Sequence, residues 1–216
     1  MSASPAASAP RRVGFFGGTF NPIHYAHLRI AEEVGDIAGL DEIMFVPSGT
    51  PPHRDKPQVS AQQRLEMVRL AIADNPRFTL SSIEVDDREH QCNYTFDTLS
   101  ALKQRHPEVQ FSLICGSDVQ SQKWYRFDAI LEMLEALYVV YRPGDDAEGM
   151  AAAVRRHAGG DERLFAKYHW VQTEGLTVSS TLIRSLVRER RSLRYLLPDA
   201  VAEYIHKHSL YGELRS

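Results

Sequence analysis

His24 and His27 stand three residues apart, just after the pair Gly17–Gly18 and the run Thr19-Phe20-Asn21-Pro22. Imidazoles at i and i+3 in a first helical turn share one face, and both can donate to an anion. Glycines ahead of them let main-chain N–H groups approach that anion, and a helix N-terminus adds partial positive charge. The chemistry this set suits is phosphate binding. A plain strand-to-helix turn with two solvated histidines would use the same residues. A metal pair would need more ligands, and no nearby Glu or Cys supplies a third.

Other stretches carry the same double meaning. Ser179, Ser180 and Thr181 precede a helical pattern, with Arg184 four residues after Ser180; they suit an ordinary N-cap or a second anion site. "VPSGTPPHR" holds Gly49, Pro51, Pro52, His53 and Arg54, which make either a rigid solvated tip or a cationic loop beside an anion. "NYTFDTL", Asn93 to Leu99, opens a helix whose free N–H groups suit a small carboxylate or merely a cap. Gly116 and Asp118 follow an apolar run, where a carboxylate suits sugar hydroxyls, and Trp124 suits either a flat ring or the core.

Positioning such groups requires elements, and the chain alternates short apolar runs with longer amphipathic ones, the pattern of βαβ units around a parallel sheet. "RVGFFG" reads as the first strand, followed by a helix from about His24 to Ile37. "EIMFVPS" reads as a strand ending at Pro47, and "SAQQRLEMVRLAIAD" as a helix with Leu65, Val68, Ala71 and Ile72 on one side. "FTLSSIEV" reads as a strand and "YTFDTLSALKQRH" as a helix; "VQFSLICG" and "ALYVVYRPG" are the expected central strands. "HWVQTEGLTV" suggests a last strand, and "SSTLIRSLVRERR" and "PDAVAEYIHKH" two closing helices, the latter with Pro198 in its first turn. The expected fold is α/β: a Rossmann-like three-layer fold with a mainly parallel central sheet and C-terminal helices. Residues 1–10, rich in Ala, Ser and Pro, read as a disordered leader, and residues 11–216 as a single domain.

Composition narrows the function classes. The 216 residues are 43% hydrophobic and 25% charged, ordinary for a globular chain, and the net charge of −3 gives no general basic footprint for nucleic acid or anionic membrane. Any anion must be held locally. Cys92 and Cys115 lie outside any C-x-x-C, which argues against a disulfide framework and for a reducing, cytoplasmic setting. No apolar run approaches the ~20 residues of a membrane span.

"GGTFNPIHYAHL" resembles the strand-turn-helix signature of the nucleotidyltransferase superfamily, whose H-x-G-H motif binds ATP; Ala26 stands where that motif has glycine. "VSSTLIR" is similar to the superfamily's I-S-S-T-x-I-R, with Val178 for Ile. "VPSGTPPHR" resembles the P-x-G-x-P-P-H-K loop of nicotinate-nucleotide adenylyltransferases, with Arg54 for lysine. "NYTFDTL" matches that family's S-Y-T-x-D-T-L at Tyr94, Thr95, Asp97, Thr98 and Leu99, whereas "EVDDREHQCN" before it lacks the family's glycine. The family's G-x-D and K-W pairs are similar to Gly116, Asp118, Lys123 and Trp124, and "RPG" at Arg142 to Gly144 also looks familial. The likeness runs from about residue 12 to 211.

That resemblance implies an adenylyltransferase of NAD biosynthesis joining nicotinic acid mononucleotide to the AMP portion of ATP, with release of pyrophosphate and formation of deamido-NAD. It assigns Gly17, Gly18, Thr19, Phe20, His24, His27, Ser180, Thr181 and Arg184 to ATP, with His24, His27 and Arg184 catalytic. Tyr94, Thr95, Gly116, Asp118, Trp124, His53 and Arg54 fall to the mononucleotide. Mg2+ is expected to accompany ATP, with no partner nucleic acid or membrane, and a homo-oligomer is left open. Two alternatives stay open: an adenylyltransferase preferring nicotinamide mononucleotide or another phosphate acceptor, and a nucleotide-binding sensor without turnover.

Overall fold

The structure is a computed structural model and describes residues 9–49, 59–87, 94–117, 124–141, 146–157 and 161–212. In chain order the described elements are β1 (Arg12–Gly18), α1 (Tyr25–Ala38), β2 (Glu42–Pro47), α2 (Ala61–Ala71), β3 (Phe78–Leu80), α3 (Thr95–Arg105) and β4 (Gln110–Gly116), followed by α4 (Phe127–Met133), β5 (Leu137–Tyr141), α5 (Ala147–His157), α6 (Glu162–Phe165), β6 (Tyr168–Gln172), α7 (Ser180–Arg188) and α8 (Asp199–Lys207). None of these helices is long and apolar enough to cross a membrane.

The strands form one sheet in the order β3-β2-β1-β4-β5-β6, every pair parallel. This is the Rossmann-like α/β fold expected from the alternating pattern. Chain order reverses between β1 and β4, so a crevice opens beyond their carboxyl ends, where open α/β sheets bind ligands. The strands alternate their faces as period 2 demands. Phe16, Ile43, Phe45, Ile114, Tyr138 and Val140 pack on one side with residues of α1, α2, α7 and α8. Val13, Phe15, Val46, Phe111, Leu113, Leu137 and Val139 pack on the other with α3, α4 and α6.

Local chemistry sets several helix starts. Ser60 accepts from the Gln63 N–H at 3.2 Å while the Gln63 side chain accepts from the Ser60 N–H at 3.1 Å, a capping box that begins α2. The expected face of α2 is buried at Leu65, Val68, Ala71 and Ile72. Pro198 is the N-cap of α8, one residue ahead of the first turn.

Three expectations need correction. The strand foreseen over "FTLSSIEV" stops at Leu80, because both the Val85 and Asp86 N–H groups turn back to the Ser82 carbonyl and the Ser82 hydroxyl donates to Asp86. The strand over "HWVQTEGLTV" likewise ends at Gln172. "ALYVVYRPG" gives a fully flanked strand, but the middle of the sheet is β1 with β4, so the glycine-containing "RVGFFG" holds a central place.

Candidate functional site

Each helix that follows a parallel strand starts at the sheet's carboxyl edge, and that topology brings the separate motifs to one side of the molecule. Gly17, near the end of β1, and Gly116, the last residue of β4, are both exposed there, at the reversal of strand order. At these two exposed glycines no side chain stands between a ligand and the ends of two otherwise buried central strands.

His24 is the N-cap of α1, in extended conformation, and His27 is the third residue of the helix. The His24 N–H donates to His27 Nδ1 at 3.3 Å, and the two rings stack with centroids 3.8 Å apart. Phe20 meets the His27 ring edge-on at 5.1 Å, and Phe16 lies at 6.4 Å. Burial, and next the neighbouring His24, holds the His27 pKa well below the usual imidazole value. His27 is therefore neutral at pH 7, and because its Nδ1 accepts a hydrogen bond, its proton sits on Nε2 as a donor. Ala26 between them is buried, so its methyl is taken up by packing.

Gly18 is set against Phe20: a Cβ there would stand 2.9 Å from the Phe20 ring, itself locked between Phe16, Phe45 and His27. The loop from Thr19 to Pro22 is held through its oxygens from four directions. Arg64 Nη1 donates to the Thr19 carbonyl at 2.7 Å, Arg184 Nη1 to the Asn21 carbonyl at 2.8 Å, and the Ser180 hydroxyl to the Pro22 carbonyl at 2.8 Å. The Tyr211 hydroxyl donates to Asn21 Oδ1 at 2.7 Å. Ser179, which accepts from the Leu182 N–H at 3.2 Å, is the N-cap of α7. Thr181 is exposed, and its hydroxyl lies 3.1 Å from Arg184 Nη2.

The α3 start lies on the same edge. Tyr94 is its N-cap, with its ring 5.1 Å from Tyr125, and Thr95 is the first helical residue. Trp124 is half-buried and packs on Phe127 at 5.6 Å, while its indole N–H is buried with no hydrogen-bond partner among the described residues. His53, Arg54, Asp118 and Lys123, with the "RPG" at 142–144, lie outside the described residues.

The structure thus brings Gly17, Gly18, Thr19, Phe20, His24, His27, Ser180 and Arg184 into one linked set. Tyr94 and Thr95 join it through a second network containing Arg64, Glu84 and Thr98. Sequence reasoning did not single out Arg64, Glu84 or Tyr211. For Arg64 a signal was present: it falls in register with Val68 and Ala71 at i+4 and i+7, a charge on the buried face of α2.

A parallel sheet in this order, with a histidine pair and a serine-led helix start at its switch point, defines a nucleotidyltransferase-type protein, and residues 15–186 match the Cytidylyltransferase-like family. Within that class the chain belongs to the nicotinate-nucleotide adenylyltransferases. It is 40% identical over 215 residues to the relative of that name from Geobacter metallireducens, covering 93% of this chain and 98% of the relative. The relative from Pseudomonas syringae pv. tomato is also 40% identical, with 94% of each chain covered. The solved Plasmodium falciparum nicotinic acid mononucleotide adenylyltransferase complexed with NaAD superposes with a TM-score of 0.71 over 93% of this chain and 97% of that one; at 20% identity it speaks to the fold.

Proposed function

We propose that this chain transfers AMP from ATP to nicotinic acid mononucleotide, releasing pyrophosphate and forming deamido-NAD. The observation that carries the chemistry is the stacked His24–His27 pair beside exposed glycine backbone at the sheet's switch point. The attacking group is the mononucleotide's phosphate, which by analogy with other phosphomonoesters has a second pKa near ~6 and is already largely ionised at neutral pH. No protein base has to take its proton. Catalysis then rests on alignment and on stabilising the charge of the transferring and departing phosphates.

In this proposal His24 sits nearest the reacting α-phosphate, and His27 donates from Nε2 to a neighbouring phosphate oxygen. Gly17 and Gly18 leave the approach to ATP clear of side chains, with Thr19 and Phe20 shaping their loop. Arg184 fixes that loop through Asn21 and, with the Ser180–Thr181 helix start, faces the departing pyrophosphate. Tyr94 and Thr95 receive the pyridine carboxylate at the α3 N-terminus, Trp124 stacks on the pyridine, and Gly116, Asp118, His53 and Arg54 complete the mononucleotide side. The family's chemistry calls for a divalent metal. Mg2+ fits that requirement as a companion of ATP, held by phosphate oxygens and water. Bound in that way it offsets phosphate charge. A reducing cytoplasmic setting suits the two cysteines, which no C-x-x-C spacing joins.

The test follows the phosphorus. ATP labelled at the α-phosphate, incubated with nicotinic acid mononucleotide and Mg2+, should pass its label into a dinucleotide with equimolar pyrophosphate. Label found only in AMP would mark a hydrolase and overturn the assignment.

A further inference from the structure

Arg64 is a fully buried guanidinium, 1% exposed, on the apolar face of α2. Its Nη1 donates to the Thr19 carbonyl at 2.7 Å, and its Nη2 to the carbonyls of Ser48 and Gly49 at 2.6 and 2.8 Å. One side chain therefore ties together the loops that leave two adjacent strands, β1 and β2. Beyond Gly49 the chain of contacts continues. The Gly49 N–H donates to Glu84 Oε2 at 3.4 Å, and the Thr98 hydroxyl of α3 donates to Glu84 Oε1 at 2.8 Å. The same hydroxyl lies 3.2 Å from the carbonyl of Tyr94, the α3 N-cap. Gly49 is pressed so closely on this segment that a Cβ would overlap the Glu84 carbonyl oxygen.

A buried charge is costly unless fully paired, and an apolar residue of similar volume often stabilises a core as well or better. Every group that Arg64 and Glu84 hold nevertheless belongs to the sheet's carboxyl edge. Thr19 leads into Phe20, whose ring meets His27, and Thr98 anchors the turn headed by Tyr94. We propose that Arg64 and Glu84 are a positioning pair, a buried brace that fixes the ATP loop relative to the helix start receiving the pyridine nucleotide, so that both substrates are aligned by one set of contacts. This inference rests on the substrate assignment above for its mononucleotide half, and on the β1–α1 loop alone for its ATP half.

The electrostatics agree with a brace that is finely balanced. Burial pushes the Glu84 carboxyl up to about 7, against the Thr98 hydroxyl, the Gly49 N–H and the Arg64 guanidinium, and Asp87 adds to the rise. Burial lowers the Arg64 pKa, opposed by Tyr211 and Glu84. A neutral hydrogen-bonding side chain can serve at position 84: an amide's oxygen would accept from Gly49 and its NH2 would donate to Thr98, freeing the hydroxyl to donate to the Tyr94 carbonyl.

The experiment compares Arg64→Met, Arg64→Lys, Glu84→Leu and Glu84→Gln in the full chain, keeping variants whose circular dichroism and cooperative unfolding match the wild type. ATP and nicotinic acid mononucleotide affinities are measured by calorimetry, and kcat and each KM by pyrophosphate release. Folded Arg64→Met and Glu84→Leu should lose on the order of 10²-fold in kcat/KM, the effect of an ångström-scale misplacement, with the loss in the Arg64 variants shared between kcat and ATP affinity. Glu84→Gln should restore most of it, which a requirement for charge or bulk alone would not give. If Arg64→Met does not fold, Arg64→Lys takes its place, since a point charge cannot span the three carbonyls. Wild-type kcat/KM in Arg64→Lys or Glu84→Leu would overturn the brace, as would a Glu84→Gln as impaired as Glu84→Leu. Should the wild type fail to turn over this mononucleotide, the substrate assignment falls separately; ATP affinity then decides, and unchanged affinity in Arg64→Lys overturns the brace.

Discussion

Replacing His27 by asparagine separates the two jobs its ring performs. The shorter amide places an oxygen near the position of Nδ1, where it can accept from the His24 N–H that now lies 3.3 Å away, so the start of α1 survives. The Nε2 donor disappears, together with the ring stacked at 3.8 Å on His24 and set at 5.1 and 6.4 Å from Phe20 and Phe16. Aromatic contacts contribute roughly 0.5–1.5 kcal/mol each, and losing a set of them while removing a buried imidazole should cost about 1–3 kcal/mol of stability. Loss of one preorganised donor to the transferring phosphate should cost roughly 10²–10³ in kcat. Urea unfolding measures the first quantity and steady-state pyrophosphate release the second. His27→Gln, whose amide reaches the Nε2 position, should recover part of the rate but not the stability. If His27→Asn unfolded cooperatively and turned over at the wild-type rate, the donor role would be refuted.

The depressed His27 pKa fixes a second outcome. Below the ordinary imidazole value of about 6.5 the unfolded chain takes up a proton that folded His27 refuses, so its share of stability is present above that pH and is lost as pH falls toward the folded pKa. The stability difference between wild type and His27→Asn, taken from urea melts between pH 5 and 7.5, should therefore grow in the wild type's favour as pH rises, and a difference that does not change with pH would contradict it. Glu84 acts in the opposite sense: with its folded pKa raised to about 7, its share is present below the ordinary carboxylate value of 4.5 and is lost as pH rises through 7. Glu84→Gln should flatten that loss, and identical melts for variant and wild type from pH 5 to 8 would count against a buried carboxyl. Gly18→Ala should crowd the Phe20 ring, 2.9 Å from the new methyl, at a cost of about 1–3 kcal/mol. Adding Phe20→Leu should relieve the crowding, and a double variant no more stable than Gly18→Ala would place the strain elsewhere.

How legible was all this in the chain? The strands β1, β2, β4 and β5 and the helices α1 to α3 announce themselves by period and by flanking Ser, Gly and Pro, and the parallel α/β class follows from their alternation. Helix α4 has seven residues and α6 four, too short for a 3.6-residue period to stand out. The apolar pattern runs on past the end of β3, where Ser82 offers the chain a turn in place of a ladder. Local motifs were legible at His24, His27, Ser180 and Tyr94 because each opens a helix. The long-range ties were not. Tyr211 and Asn21 stand 190 residues apart, and the distant acceptors of Arg64 and Arg184 are backbone carbonyls, which every residue carries and no sequence pattern marks.

The central claim, transfer of AMP to the acid form of the pyridine mononucleotide, is tested most directly by one panel. Pyrophosphate release is measured with ATP, Mg2+ and, in turn, nicotinic acid mononucleotide, nicotinamide mononucleotide and phosphopantetheine. Release with the first, at a kcat/KM well above the amide's, is the predicted result. Equal or better efficiency with the amide would contradict the acid-selective site at Tyr94 and Thr95, and ATP binding without release from any of the three would leave a nucleotide sensor in place of the enzyme.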